Sequence, residues 1–531
     1  MLTSIKFSEL LFLLFIFYVI IKNLMTNTLE TSAISYLLFF VILYYSLKTF
    51  FSVNNLSSYS KLLFCTTAIL VAYLAYAIYN CYFEQESLTN LYIPNKSIFS
   101  ILLASQVVFI FPIWDFYKKS KKPLRFASWL FIGLLVASLL ILSLTQGRAG
   151  WLGLIVSIFY IAYQSLSGPW IKRIAIYLSL PLFCMLTAAM FFYKSDSSNG
   201  RLLIFKISAG MLKDNWLFGI GQGQFKVYYN DYQAEYFSSH NLDSKEALLA
   251  DNTFYAFNDF FQALIENGLI AFLILAAIMF LLIHQKNKTE ITSGNKHLFT
   301  AAVASLICIL TGSLFSYPLQ IFPIAIQATL CLAIINSYPS SLKNVVTLSK
   351  KGIRLARVVF VLLSAFLFFH ISYYFYYKQK GLQAFELNKS GFRQEAIKTY
   401  KELSSSYIKD GNMLYLYAQE LYYSNQLIKS QRTLNKAKSY FCSNDVYKLS
   451  ASIEKELKNF EQAEKDYKTA IYMVPNRMIS RKNLLDFYLE RKDTVNAIYW
   501  AQSIINMPVK IPSQITKAVQ KNTYQILQKI N

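Results

Sequence analysis

Residues 125–151, RFASWLFIGLLVASLLILSLTQGRAGW, decide the fold class. From Phe126 to Leu144 no charged residue interrupts the run, and about 20 mostly apolar residues suffice for a helix to cross the hydrocarbon core of a bilayer. A second apolar run opens at Ala149 after the short turn Thr145-Gln146-Gly147-Arg148, so two spans are joined almost directly. In front of Arg125 stand Lys118, Lys119, Lys121 and Lys122, a basic loop of the kind that stays on the cytoplasmic side.

Working outward with the same criterion predicts spans at 8–22, 32–49, 61–79, 97–117, 126–144, 149–165, 171–193, 260–283, 298–316, 319–338 and 356–376. The fold expected is therefore all-α, a polytopic transmembrane bundle of about 11 spans followed by a soluble helical tail. The run Leu10–Ile21 has no small-residue cleavage site behind it and reads as a retained first span. Composition agrees: 55% of the 531 residues are hydrophobic and 15% charged, against about 25% charged in soluble domains.

The net charge is +23, from 52 Lys and Arg against 29 Asp and Glu. Two readings fit: basic loops fixing topology, and attraction to anionic lipid headgroups or phosphate-bearing substrates. No basic stripe with interleaved aromatics stands apart from the membrane flanks, which argues against nucleic acid. The loop 117–125, Lys172-Arg173, the set Lys286, Lys288 and Lys296, and the segment Lys350-Lys351-Gly352-Ile353-Arg354 all fall on one side of the predicted bundle. Assigning that side to the cytoplasm puts Glu84, Glu86, Lys96, Arg148, the loop 194–255 and everything after the last span outside.

Of the six cysteines, Cys65, Cys184, Cys308 and Cys331 lie in apolar runs and read as core residues. Cys81 and Cys442 fall on the outer side, with no pairing deducible. No metal-ligand spacing occurs, so no metal and no cofactor are expected.

Three clusters outside the apolar runs carry candidate chemistry. The first is Thr145-Gln146-Gly147-Arg148-Ala149-Gly150-Trp151. The second joins Asn199-Gly200-Arg201 to Gly219-Ile220-Gly221-Gln222-Gly223-Gln224-Phe225. The third runs from Asp251 through Asn258, Asp259 and Gln262 to Glu266-Asn267-Gly268. Arg148 sits in a turn against the positive-inside bias, and Asp259 and Glu266 lie at or in an apolar helix, where ionisable groups are costly and usually face a cavity. The glycine segment follows no strand, which excludes a dinucleotide fingerprint and leaves a tight turn beside a ligand.

In this order and on this topology the three clusters resemble the O-antigen ligase/polymerase family of bacterial envelope glycosyltransferases, over about residues 125–285. Residues 145–151 match its Ser/Thr-x-Ser/Gly-Arg-Gly/Ala-x-Trp turn; Arg201 and 219–225 match its loop arginine and Gly-x-Gly-x-Gly-x-Phe segment. Asn258, Gln262, Glu266 and Gly268 match its His-Asn-x-x-Leu-Gln-x-x-x-Glu-x-Gly segment. The resemblance implies a GT-C-like bundle in the bacterial inner membrane that moves a glycan from undecaprenyl diphosphate to an acceptor hydroxyl at the periplasmic face. Lipid A–core, a growing polysaccharide or a protein would be the acceptor. Arg148 and Arg201 would hold the diphosphate, since arginine stays charged and grips phosphate oxygens bidentately. The position of the family's functional histidine is Phe257 here, which cannot accept a proton. His240, Asp251, Asp259 and Glu266 are the candidate bases.

After Tyr377 the composition turns to Lys, Glu, Tyr and Leu at helical spacing. Small residues recur at Ala396, Ser430, Ala463 and Ala497, separated by 34, 33 and 34 residues, the period of tetratricopeptide repeats. The expected organisation is a membrane domain at 1–377 and a periplasmic repeat domain at 378–531 whose concave face takes a protein partner. A non-catalytic scaffold working through this tail is the rival reading, supported by Phe257. A transporter is disfavoured for want of paired broken helices.

Overall fold

The computed structural model describes residues 4–25, 31–53, 58–82, 95–121, 125–193, 195–284, 293–338, 344–347, 349–406 and 408–530. Glu84, Glu86, Lys122, Lys286 and Lys288, and the side chain of Cys81, lie outside the described residues. The helices of the first part are α1 (Phe7–Met25), α2 (Thr31–Val53), α3 (Ser58–Tyr82), α4 (Lys96–Lys121), α5 (Arg125–Thr145), α6 (Arg148–Ser165) and α7 (Pro169–Tyr193). The loop region that follows is itself helical, with α8 (Ser195–Asp214), α9 (Phe225–Ser238) and α10 (Lys245–Leu249). Then come α11 (Asp259–His284), α12 (Ser293–Ser313), α13 (Phe322–Ser337) and α14 (Lys350–Lys389). The tail holds α15 (Arg393–Ser404), α16 (Gly411–Tyr423), α17 (Leu427–Lys438), α18 (Asn444–Glu456), α19 (Phe460–Met473), α20 (Met478–Glu490), α21 (Thr494–Ile505) and α22 (Gln514–Ile530).

Each of the eleven predicted spans coincides with a helix. Among the described residues, seven helical segments are long and apolar enough to cross a membrane, within α3, α4, α5, α7, α11, α12 and α14. Ser35–Phe51 and Phe322–Ser337 are shorter apolar helices. The span expected to begin at 319 starts three residues later: Pro318–Gln320 forms a 3-10 turn, and α13 opens at Phe322 with Pro323 in its first turn. Proline has no amide hydrogen to offer a helix interior, so it settles where that hydrogen has no partner anyway.

Helix α4 is the hub, packed by α6 and α12. Gln106 Nε2 donates to Gln327 Oε1 at 3.0 Å, Gln327 to Ser305 Oγ at 3.2 Å, and Ser305 to the Ser105 carbonyl at 3.0 Å, which ties α4, α12 and α13 together. Between helices in an apolar medium, small side chains and such hydrogen bonds carry association, because lipid tails are as apolar as leucine.

The bundle has two distinct ends. At one, Phe116 meets His297 and Phe299 meets Tyr338. There Lys6 Nζ donates to the Asn336 and Tyr338 carbonyls at 2.9 and 3.1 Å. Two short strands, β1 (Ser4–Lys6) and β2 (Asn344–Thr347), pair antiparallel beside it, an addition the sequence reading did not anticipate. The other end carries Arg148, Arg201 and the helical loop.

Helix α14 runs unbroken through 40 residues, about 60 Å at ~1.5 Å per residue, roughly twice the hydrocarbon thickness. It passes straight through residue 377, where the composition changes, and delivers the tail to the end that holds the two arginines. In the tail each helix packs on the next, and Ala396, Ser430, Ala463 and Ala497 are all fully buried where neighbouring helices meet.

Candidate functional site

Arg148 is the first residue of α6, and its turn is pressed against α4. A Cβ on Gly150 would come within 2.6 Å of the Ser100 main-chain carbon, so only glycine fits there. The guanidinium reaches α8. Its Nη1 donates to Ser198 Oγ at 2.9 Å and its Nη2 to Ser197 Oγ at 3.1 Å. Both serines lie in the first turn of α8, which carries Arg201 one turn further on. The two arginines, 53 positions apart in sequence, are thereby brought to one place. Arg201 is half-buried, and burial together with the adjacent Arg148 charge lowers its guanidinium to about 10. It stays protonated at neutral pH, so two positive charges are held close in a partly dehydrated setting that favours an anion.

An aromatic group completes this corner. The Arg201 Cζ lies 5.4 Å from the centre of the Phe257 ring, in reach of its negative face. Phe257 meets Tyr317 edge to face at 5.2 Å, and Tyr255 stacks flat on Tyr317 at 3.9 Å. Asn95 Nδ2 donates to the Tyr317 hydroxyl at 2.7 Å. Phe257 sits at φ 53, a left-handed conformation unusual for a bulky residue. The ring at position 257, where the resemblance implies a histidine, is therefore a support for a guanidinium. Asn95 and Tyr317 belong to no motif, and only the spatial contact reveals them.

The glycine segment and the Asn258–Gly268 segment form one interlocked unit. Helix α11 breaks at Gly268 (φ 76, ψ 179). The break frees carbonyls that the glycine loop takes up: Ile220 and Gly221 donate their amides to the Ile265 and Glu266 carbonyls at 3.0 and 2.8 Å, and Leu269 donates to the Trp216 carbonyl at 2.9 Å. Gly219 (φ 71) packs so closely that a Cβ would lie 2.5 Å from the Gly268 nitrogen. Gly221 and Gly223 also have positive φ. The α1 end clamps the unit from outside, with Lys22 Nζ donating to the Phe218 and Glu266 carbonyls.

Glu266 lies inside this lock, 1% exposed. Its carboxylate accepts the Gly223 and Phe225 amides at 3.0 and 3.4 Å and Gln262 Nε2 at 3.0 Å. The amides that could have cradled a phosphate thus hold a side chain of the same protein. Gln262 Oε1 in turn accepts the Ala256 amide at 3.1 Å, next to Phe257, and Asn258 Oδ1 caps α11 by accepting the Phe261 amide at 3.0 Å. Asp259 is buried and accepts Ser313 Oγ and the Leu319 amide, both at 2.9 Å, which joins α11 to α12 and the 3-10 turn. Among the described residues no three His, Cys, Asp or Glu side chains gather in a way that could hold a metal ion.

The structure brings Arg148, Arg201 and Phe257 together, and sets Glu266, Gln262, Asn258 and the three glycines behind them as a brace. Asp259 bridges helices. Asp251 is exposed and faces the tail. His240 is exposed and stacks on Tyr236 of α9 at 3.9 Å, its Nδ1 2.6 Å from the Tyr236 carbonyl oxygen. A general base contributes about 10²–10⁴-fold. A His240→Ala variant is expected to keep the protein's activity within about twofold, far from that range; a hundredfold loss would restore His240 as the base.

The family model described as O-Antigen ligase matches residues 132–276, a span that holds Arg148, Arg201, the glycine loop, Phe257 and the broken helix. No curated protein matches the chain.

Proposed function

We propose that this chain, a multi-pass membrane protein whose residues 132–276 form an O-antigen ligase domain, transfers glycan from an undecaprenyl diphosphate carrier to an acceptor hydroxyl at the periplasmic face of the inner membrane. The observation that carries the reading is the convergence of Arg148 and Arg201, from two different helices, beside the Phe257 ring. In the reaction the acceptor oxygen forms a bond to the anomeric carbon of the donor sugar. The bond from that carbon to the phosphate oxygen breaks, its electron pair leaves with the diphosphate, and the hydroxyl proton is lost to solvent or a nearby acceptor. Negative charge grows on the departing diphosphate. Two arginines already positioned there stabilise that charge more in the transition state than in the ground state, without reorganising at the moment of reaction. The diphosphate is a good leaving group once its charge is met, so the reaction needs no metal.

Both engaged carboxylates, Asp259 and Glu266, support the reading as braces that fix the arginine corner. The acceptor is lipid A–core, a growing polysaccharide or a protein side chain, and one experiment separates these. A deletion strain is expected to accumulate a lipid-linked glycan and to lose one product, whose identity names the acceptor. A deletion strain with unchanged lipid-linked glycan and unchanged envelope products would refute the proposal.

A further inference from the structure

The tail was expected to offer its binding face to a partner. In the structure the turns between α17 and α18 and between α19 and α20 meet this chain's own loop. Helix α19 packs along α9, and Asn230 Nδ2 donates to the Cys442 carbonyl at 2.7 Å. Gln233 Nε2 donates to the Met473 carbonyl, at the end of α19. One turn further along the tail, the Asn476 side-chain amide lies against three carbonyls at the end of α10, those of Ala247, Leu248 and Ala250, at 3.3, 2.9 and 2.6 Å. Arg481, fully buried, reaches out of the tail to the Leu242 carbonyl at 3.1 Å and to Asp243 Oδ1 at 2.9 Å. These are hydrogen bonds to main-chain carbonyls and buried side chains, which hold a backbone in one register. Rim charges alone would not.

The held segment leads into the site. Asn252 and Asn444 bond reciprocally: Asn252 Nδ2 donates to Asn444 Oδ1 at 2.9 Å, and the Asn444 amide donates to Asn252 Oδ1 at 3.0 Å. Asn230 Oδ1, on the helix that the tail grips, accepts the Thr253 amide at 3.0 Å. Phe254 stacks on Phe441 of the tail at 5.3 Å. The next residue is Tyr255, which lies flat on Tyr317, and two further on is Phe257, under Arg201. Residues 251–254 are therefore fixed by the tail and residues 255–257 build the arginine corner, with no flexible linker between them.

We propose that the tail is a built-in clamp whose ligand is the chain's own segment 240–254, and that its docking sets Tyr255 and Phe257 and hence the position of Arg201. The effect on transfer rests on the glycosyltransferase reading; the docking itself does not. Asn252 and Asn476 are positioning residues. The acceptor is then met at the corner beside the arginines, and the loop-facing side of the tail is already occupied.

The test uses the full-length protein in detergent with lipid-linked glycan extracted from the deletion strain. Asn476→Asp keeps the size of the side chain but sets a carboxylate against three carbonyl oxygens. It is expected to lower kcat by about tenfold or more, since small misplacements of reacting groups cost as much as 10²-fold, while KM for the lipid-linked glycan changes little. Asn252→Cys/Asn444→Cys is expected to lose kcat in the reduced form, because the reciprocal asparagine bonds are gone, and to regain it when the pair is closed by mild oxidation, followed by its shift in gel mobility. Asn476→Asp at the wild-type rate, or a locked protein that is inactive until reduced, would overturn the clamp. If Asn476→Asp fails to accumulate, the locked variant alone decides between these outcomes. Arg148→Ala in the same assay separates the two proposals, because full activity there would sink the transferase reading and leave the docking to be read from the cross-link.

Discussion

Replacing Arg201 with Ala is expected to lower transfer of the lipid-linked glycan by about 10²–10³-fold, the usual effect of removing one group that stabilises developing charge. The change should fall on kcat more than on KM, because the charge on the diphosphate is larger as the bond breaks than in the bound donor. Arg148→Ala should act in the same range, and the double variant should lose less than the product of the two, since both meet one leaving group. Arg201→Lys should not restore activity. A lysine offers a compact charge with no planar fork for two phosphate oxygens, and it would not lie over the Phe257 ring in the same way. Phe257→Leu removes only the ring face beneath the guanidinium, an interaction of about 0.5–1 kcal/mol at partly exposed sites, so a loss of about two- to fivefold is expected. The Arg201 variants are expected to fold, because Arg201 is half-buried and no described carboxylate pairs with it. Wild-type transfer by Arg201→Ala would remove the observation on which the proposed function stands.

The helical bundle was legible because lipid imposes a uniform rule on every span, and uninterrupted runs such as Phe126–Leu144 obey it. The arginines were legible for the converse reason: Arg148 stands where neither topology nor anchoring calls for a charge. What sequence could not supply was the partner of each polar group. Glu266 in an apolar helix reads as a functional acid, yet its carboxylate answers the amides of Gly223 and Phe225, more than forty residues away in the chain. Asp259 looks the same in sequence and instead joins helices through Ser313 and Leu319. His240 is the one histidine of the loop 194–255, a property of composition that says nothing of distance. Tyr317 and Asn95 carry no local pattern at all; they join the corner only because α4 and the Pro318 turn begin there. The spacing of Ala396, Ser430, Ala463 and Ala497 stands in the sequence, but a spacing leaves open what lies against the tail.

Gly268→Ala tests whether this brace is what holds the corner. The native backbone at Gly268, φ 76 and ψ 179, lies in a region that side chains avoid, at a cost of about 1–3 kcal/mol for any other residue. The added Cβ would also come within 2.5 Å of the Phe218 main-chain carbon, and main chain has no side-chain end to swing away. The loop 216–223 must then move out of the break in α11, and the bonds from Ile220, Gly221 and Leu269 go with it. Glu266 loses the Gly223 and Phe225 amides and is left a buried carboxylate short of partners, which adds a further penalty of about 1–3 kcal/mol. We expect a fall in Tm of at least about 5 °C, taking about 2–4 °C per kcal/mol for domains of 150–250 residues. Gly133→Ala is the control: nothing lies within 4 Å of its Cβ, and alanine favours the helix. The loss should reach function by a definite route. Glu266 holds Gln262, Gln262 holds the Ala256 amide, and the following residue, Phe257, carries the Arg201 guanidinium. Any Gly268→Ala protein that survives purification should therefore be as impaired in kcat as Phe257→Leu or more so, although residue 268 itself has no place among the groups that meet the diphosphate. A stable Gly268→Ala protein with wild-type kcat would mean that the corner keeps its shape without the brace, and the roles given to Glu266 and Gln262 would fall with it.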